Sequence, residues 1–175
     1  MKTKRQEELI NSFLSVVGDQ IKPLYQEIIM YLSELGYKPQ KQRSYIIFKH
    51  DLHNKQMAKT GIGINKDKSP FFALRFSACR GYSQRFTNIV CRAVDRDNFR
   101  KALCLDNGCN YCGGEADTHV YTYEFPDGES RSHCGAVALE IPNITADDIS
   151  EIKKLIREEH AYLLKHEAGI PQYDV

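Results

Sequence analysis

The hydrophobic period of this 175-residue chain changes twice, and that change limits its folds more than any other feature. Between residues 5 and 17, Leu9, Ile10, Phe13, Leu14 and Val17 recur at helical spacing. Gly18-Asp19 breaks the pattern, and Asp19 is placed to cap a second helix. Ile21, Leu24, Tyr25, Ile28, Ile29, Leu32 and Leu35 give that helix one apolar face, with Pro23 in its first turn. Gly36 is placed as the C′ residue. The period then shortens. Tyr45-Ile46-Ile47-Phe48, Met57 to Ile64 and Pro70 to Phe76 read as strands, the last two joined by a loop at residues 65 to 69. Residues 83 to 94 return to helical spacing, with Ser83 as cap and Phe86, Ile89, Val90 and Ala93 on the apolar side.

A loop over residues 101 to 116 follows, then Thr118 to Phe125 and Arg131 to Ile141 as a hairpin around Pro126-Asp127-Gly128-Glu129. The last helix starts at Thr145 as N-cap, with Asp147 and Asp148 in its first turn, and ends before Gly169 and Pro171. Helices at the ends with strands between them predict a single α+β domain over residues 1 to 175. Its sheet is mostly antiparallel and its helices pack on one face.

Targeting and charge narrow the function classes. The N-terminus lacks the apolar stretch of a signal peptide, and no window approaches 18 uninterrupted apolar residues. A cytoplasmic protein with no membrane span is therefore expected, with its six cysteines reduced. The net charge of +1 hides an asymmetry. Residues 41 to 103 carry fourteen basic and four acidic residues, while residues 104 to 175 carry five basic and fourteen acidic. The two segments are expected to neutralise each other side by side. An anionic partner through residues 75 to 101 is the competing reading.

Four cysteines carry the chemistry. Cys104, Cys109, Cys112 and Cys134 are spaced C-x4-C-x2-C-x21-C. A C-x2-C turn brings two thiolates onto one ion, and Gly113-Gly114 lets the backbone fold tightly behind Cys112. If Pro126 pairs with Glu129 across the hairpin turn, Tyr121 faces Cys134, His119 faces Ala136, and His133 points to the opposite side. The hairpin then offers Cys134 to the loop, with His119 as the substitute ligand for Cys104. Four thiolates fit a closed, tetrahedral, structural Zn²⁺ site. The same spacing occurs in plant-type ferredoxins, so a [2Fe–2S] cluster for redox or electron transfer stays open. The string from Cys104 to Gly114 resembles the ferredoxin loop, but the hairpin after it departs from that pattern. Four reduced thiols without metal are the remaining reading. Cys79 and Cys91 read as small buried hydrophobes.

The remaining constellations are weaker. Arg85, Arg92 and Arg96 fall within about 40° on a helical wheel. With Arg75 they make a candidate RNA or nucleotide stripe, set against a solvated helix face paired with the acidic last helix. Phe71, Phe72 and Phe76 are read either as a base-stacking platform or as core. His50 and His53 read as a solvated turn, and His160 and His166 as surface residues. Gly61-Ile62-Gly63-Ile64 lacks the third glycine of a dinucleotide fingerprint. No string for nucleophilic or nucleotide-dependent catalysis occurs, so the chain is read as a non-enzymatic binding or accessory domain.

Two stretches carry a resemblance. Leu35-Gly36-Tyr37-Lys38-Pro39, with Tyr45-Ile46-Ile47-Phe48 and Phe72-Ala73-Leu74-Arg75-Phe76, resembles small bacterial domains of frataxin-like fold. The segment from Cys109 to Ile156 is similar to proteins of Gram-positive bacteria. In those, a cysteine loop precedes a hairpin, a Cys and a helix start like Pro142-Asn143-Ile144-Thr145. The resemblance implies a fold and no activity. Frataxin's iron binding depends on an acidic first helix, and the first 40 residues here are charge-neutral.

Overall fold

A computed structural model describes residues 3–63, 69–96, 101–106, 109 and 111–166. The expected strand end at Ile64, most of the loop at 65 to 69, and the helix stop at Gly169 and Pro171 lie outside those residues. The elements run α1 (Lys4–Leu14), α2 (Lys22–Glu34), β1 (Tyr37–Gln42), β2 (Tyr45–His50), β3 (Gln56–Ile62), β4 (Pro70–Leu74) and α3 (Gln84–Val94). Then come β5 (Tyr121–Glu124), β6 (Ser130–His133), β7 (Leu139–Glu140) and α4 (Asp148–Lys165). Two 3-10 turns, Leu103–Asp106 and Ala116–Thr118, interrupt the loop before β5. The class is α+β. A five-stranded sheet runs β1-β2-β3-β4-β7, every pairing antiparallel, beside a two-stranded β5-β6 hairpin.

Capping explains the helix starts unevenly. Thr3 and Gln6 form a reciprocal capping box at α1. Asp19 does not cap α2; the N-cap is Ile21, and Pro23 in the first turn fixes the backbone there instead. Ser83 stands at the N-cap of α3, but its side chain makes no capping bond. α4 begins two residues later than expected, with Asp147 at its N-cap. Thr145 donates its N–H and its hydroxyl to the Asp148 carboxylate, so the roles of cap and partner are reversed.

The register assigns each sheet residue a face. Phe48 pairs with Ala58 and Ala58 with Leu74, so these share one side, and all three lie in the main core. That core also holds Ile28, Ile29 and Leu32 of α2 and Ile152, Leu155 and Ile156 of α4. Each such side chain contributes roughly 1.5–3 kcal/mol on burial. The opposite, outer side carries Tyr45, Gly61 and Phe71 in one cross-strand row and Ile47, Lys59 and Ala73 in the next. Phe72 and Phe76 are core and Phe71 is not, which settles the platform question residue by residue.

One strand, β1, escaped the sequence reading, and the expected strand over Arg131 to Ile141 divides into β6 and β7. β1 reads Tyr-Lys-Pro-Gln-Lys-Gln and is edge-exposed over its second half, so no apolar alternation marks it. β7 is two residues long and exists through its pairing with β4. The β5-β6 hairpin closes through three residues, not two. Phe125 N–H donates to the Glu129 carbonyl, and Gly128 at φ +84° completes the turn. Facing pairs therefore shift by one, and Tyr121 opposes His133 rather than Cys134. Tyr121 also ties the hairpin to the sheet: its hydroxyl accepts from Phe76 N–H at 2.9 Å and donates to the Val137 carbonyl at 3.1 Å.

Candidate metal centre

The cysteine loop is tied down at its ends. Lys101 forms an isolated β-bridge with His133, which sets the start of the loop beside the end of β6. That contact carries Cys104 toward Cys134, the next residue after β6. The loop's far end rests on α4. Tyr162 donates its hydroxyl to the Gly113 carbonyl at 2.8 Å, and Lys55 Nζ donates to the Cys112 carbonyl at 3.0 Å. Gly113 and Gly114 both have positive φ. A Cβ on Gly113 would meet the His166 carbonyl oxygen at 2.6 Å, and one on Gly114 would meet the Tyr162 hydroxyl at 2.6 Å. The glycine pair thus serves close approach to α4 as well as the turn.

The result is a cavity of about 380 Å³. Cys104, Cys109, Cys112, Cys134 and His119 all line it. They come from four stretches of the chain: a 3-10 turn, the following loop, the approach to β5 and the exit from β6. All four cysteines are free thiols. Among the described residues, no three Cys, His, Asp or Glu side chains stand as a ready-made cage for an ion. The donors line a common wall without converging on one point.

Positive side chains line the cavity, while burial holds its thiols toward the neutral form. Arg75, Lys49 and Lys101 line the same cavity. Arg75 is 1% exposed and reaches it from the end of β4. Its Nε donates to Glu159 Oε1 at 2.6 Å, and its Nη2 is buried with no hydrogen-bond partner among the described residues. Burial pushes the Cys112 thiol up, and the adjacent Arg75 guanidinium pulls it back toward thiolate. Cys104 is also pushed up, first by burial and then by Cys134 and Cys109 nearby. Tyr111 donates its backbone N–H to Cys109 Sγ at 3.5 Å.

His119 is fixed on the Nδ1 side of its ring. Its Nδ1 lies 3.0 Å from the Glu115 carbonyl oxygen and 3.0 Å from the Tyr162 hydroxyl. A carbonyl accepts only, so Nδ1 carries the proton and Nε2 keeps the lone pair. Burial holds its pKa below the usual histidine value, which preserves that neutral form. The shifted hairpin register removes the expected pairing of His119 with Ala136. Even so, the 3-10 turn brings His119 to the wall that Cys134 shares.

The arginine stripe divides. Arg75 is buried against Glu159, and Arg85 is paired through Nε with Asp148 at 2.6 Å and bonded to the Pro142 carbonyl at 2.7 Å. Both pairs join the basic middle of the chain to its acidic end. Arg92 and Arg96 stay exposed. Cys79 is buried and donates its thiol to the Leu155 carbonyl at 3.2 Å, and Cys91 is half-buried on α3. His50 and His53 are not a solvated turn. Their rings stack at 4.6 Å, and Tyr37 and His160 pack around them. His160 is thereby taken from the surface, with its Nδ1 3.2 Å from the Tyr37 hydroxyl.

Arg75, expected only in the arginine stripe, is the residue of the cysteine cavity that sequence reasoning did not place there. Its alternation with Leu74 and Phe76 was the available signal, since it set Arg75 on the side opposite the core phenylalanines. Comparison with protein families, curated proteins and solved structures finds no match to the chain. Among the described residues, no helix is long and apolar enough to cross a membrane.

Proposed function

We propose that this chain is a non-enzymatic binding or accessory domain whose cysteine loop is clasped by a structural Zn²⁺. Cys104, Cys109, Cys112 and Cys134 are the ligands, with His119 as the substitute for Cys104. The observation that carries the reading is that Cys134, 22 residues beyond Cys112, lines the same cavity as Cys104, Cys109 and Cys112.

Two physical arguments support it. Four thiolates around Zn²⁺ carry a net charge of about −2, and the cavity wall already holds Arg75, Lys49 and Lys101. The unpartnered Nη2 of Arg75 is a donor suited to a thiolate sulfur. The loop also lacks a core of its own. Between residues 103 and 118, Cys112 is the one buried side chain among those described, while Leu103, Leu105 and Tyr111 are exposed. A segment with so little apolar burial gains its order from metal binding.

The test is metal analysis of untagged protein with a visible spectrum. One zinc per chain, a colourless solution, and loss of the metal in Cys112→Ser and Cys134→Ser are expected. A brown protein with charge-transfer bands would transfer the same cysteines to an iron–sulfur reading. No metal, with Cys104, Cys109, Cys112 and Cys134 all titratable as free thiols, would reject both.

A further inference from the structure

A second depression, of about 550 Å³, lies on the outer side of the main sheet against α3. Its floor is Tyr45, Phe71 and Ala73 of the sheet with Ile89 and Ala93 of α3. Tyr45 and Phe71 flank Gly61 across three strands, each paired to it in register. Their rings meet edge to face at 6.0 Å. A Cβ at Gly61 would lie 3.2 Å from the Phe71 ring, so the missing side chain is what lets the two rings close up. Both aromatics are half-buried, and Tyr45 lies outside the core altogether. Aromatic rings placed on an open sheet face, rather than beneath a helix, are how proteins stack unpaired bases.

Positive charge surrounds those rings. Lys59 Nζ lies over the Tyr45 ring at 5.7 Å, and Arg92 and Arg96 line the opposite wall one helical turn apart. Among the described residues, neither guanidinium has a hydrogen bond or an ion pair, unlike those of Arg75 and Arg85. Glu140 is the single carboxylate in the lining, against three cations.

We infer that this groove holds single-stranded nucleic acid, with bases against Tyr45 and Phe71 and phosphates on Lys59, Arg92 and Arg96. Charge alone would serve an acidic peptide as well. The paired rings beside the cations are what favour a nucleic acid strand. The reading uses none of the thiol ligands and stands apart from the metal proposal.

Fluorescence anisotropy with labelled ten-nucleotide oligouridylate and oligothymidylate tests it. Binding at ~50 mM salt that weakens steeply as salt rises is expected. Arg92→Glu with Arg96→Glu should weaken it at least about tenfold. Tyr45→Leu should weaken it severalfold while leaving the salt slope intact, because stacking releases no counterions. Lys59→Gln serves as a second variant that spares the sheet. Lys4→Glu with Arg5→Glu makes the same charge change on the exposed start of α1 and should alter binding less than about twofold. Four results would overturn the inference. They are no binding at low salt, equal loss in the α1 pair, equal affinity for duplex, or equal competition by polyglutamate of the same length.

Discussion

Arg75 and Glu159 form an ion pair from which water is excluded, with side chains 1% and 0% exposed and Nε 2.6 Å from Oε1. Burial opposes the arginine charge, but Glu159 more than restores it, and the net direction for Arg75 is upward. Glu159 also accepts the Ala78 N–H through its second oxygen at 2.7 Å. Removing one partner leaves the other charged and unpaired. Glu159→Gln should therefore destabilise the protein by about 3–5 kcal/mol. The exposed Lys153–Glu27 pair, cut by Lys153→Ala, should cost no more than about 1 kcal/mol. Urea unfolding of both variants checks the contrast.

Gly135 permits no side chain. A Cβ there would stand 1.6 Å from the His119 carbonyl oxygen and 2.5 Å from the Ser77 hydroxyl. Since His119 O is backbone, no rotamer can relieve the clash. Gly135→Ala should cost about 1–3 kcal/mol or more. Because Cys134 is the adjacent residue, the variant should also lower zinc content. Thermal melts and metal analysis on one preparation read both effects.

His53 should make the fold acid-sensitive. Burial, then His50, Lys55, His160 and Arg75 around it, push its pKa down from 6.5 to about 4. The unfolded chain takes its proton near pH 6.5, and the folded chain resists until near pH 4. Stability should be level above that window and fall as pH drops through it. Allowing for partial solvent access, the loss from this group is of order 1–2 kcal/mol. His160 and His119 are shifted in the same direction and should add to it. Melting temperature against pH, compared with His53→Phe, isolates the share of His53.

Asp148 joins three segments at the start of α4. Its carboxylate pairs with Arg85 on α3 and accepts both the N–H and the hydroxyl of Thr145. Asp148→Ala should cost about 1–2 kcal/mol, near the upper range for a lost helix cap. Thr145→Val, which keeps the backbone N–H, should cost less. Guanidinium unfolding of the two variants gives the comparison.

What the sequence made legible depended on local physics. The helices over Leu9 to Leu14 and Tyr25 to Leu32 were readable because their apolar stripes face one core. So was the closeness of Cys109 and Cys112, which only two residues separate. β1 was not readable, because an edge strand with Lys38, Pro39 and Lys41 has no buried alternation over most of its length. The hairpin register turned on whether Pro126-Asp127-Gly128 closes as two residues or three, and a single hydrogen bond from Phe125 to Glu129 decides it. The burial of Arg75 depended on Glu159, a partner 84 residues away on α4. The histidine cluster with Tyr37 likewise joins β1, β2, its following turn and α4.

Between residues 103 and 118, Cys112 is the one described side chain in the interior, while the main core draws on all four helices and the large sheet. The loop's attachment and the integrity of the body are therefore separable. If the proposed Zn²⁺ holds the loop, oxidants or chelators that remove it would release a flap, and the remainder would keep its shape. Re-fastening would then need only fresh reductant and ion, with no renewed folding of the scaffold.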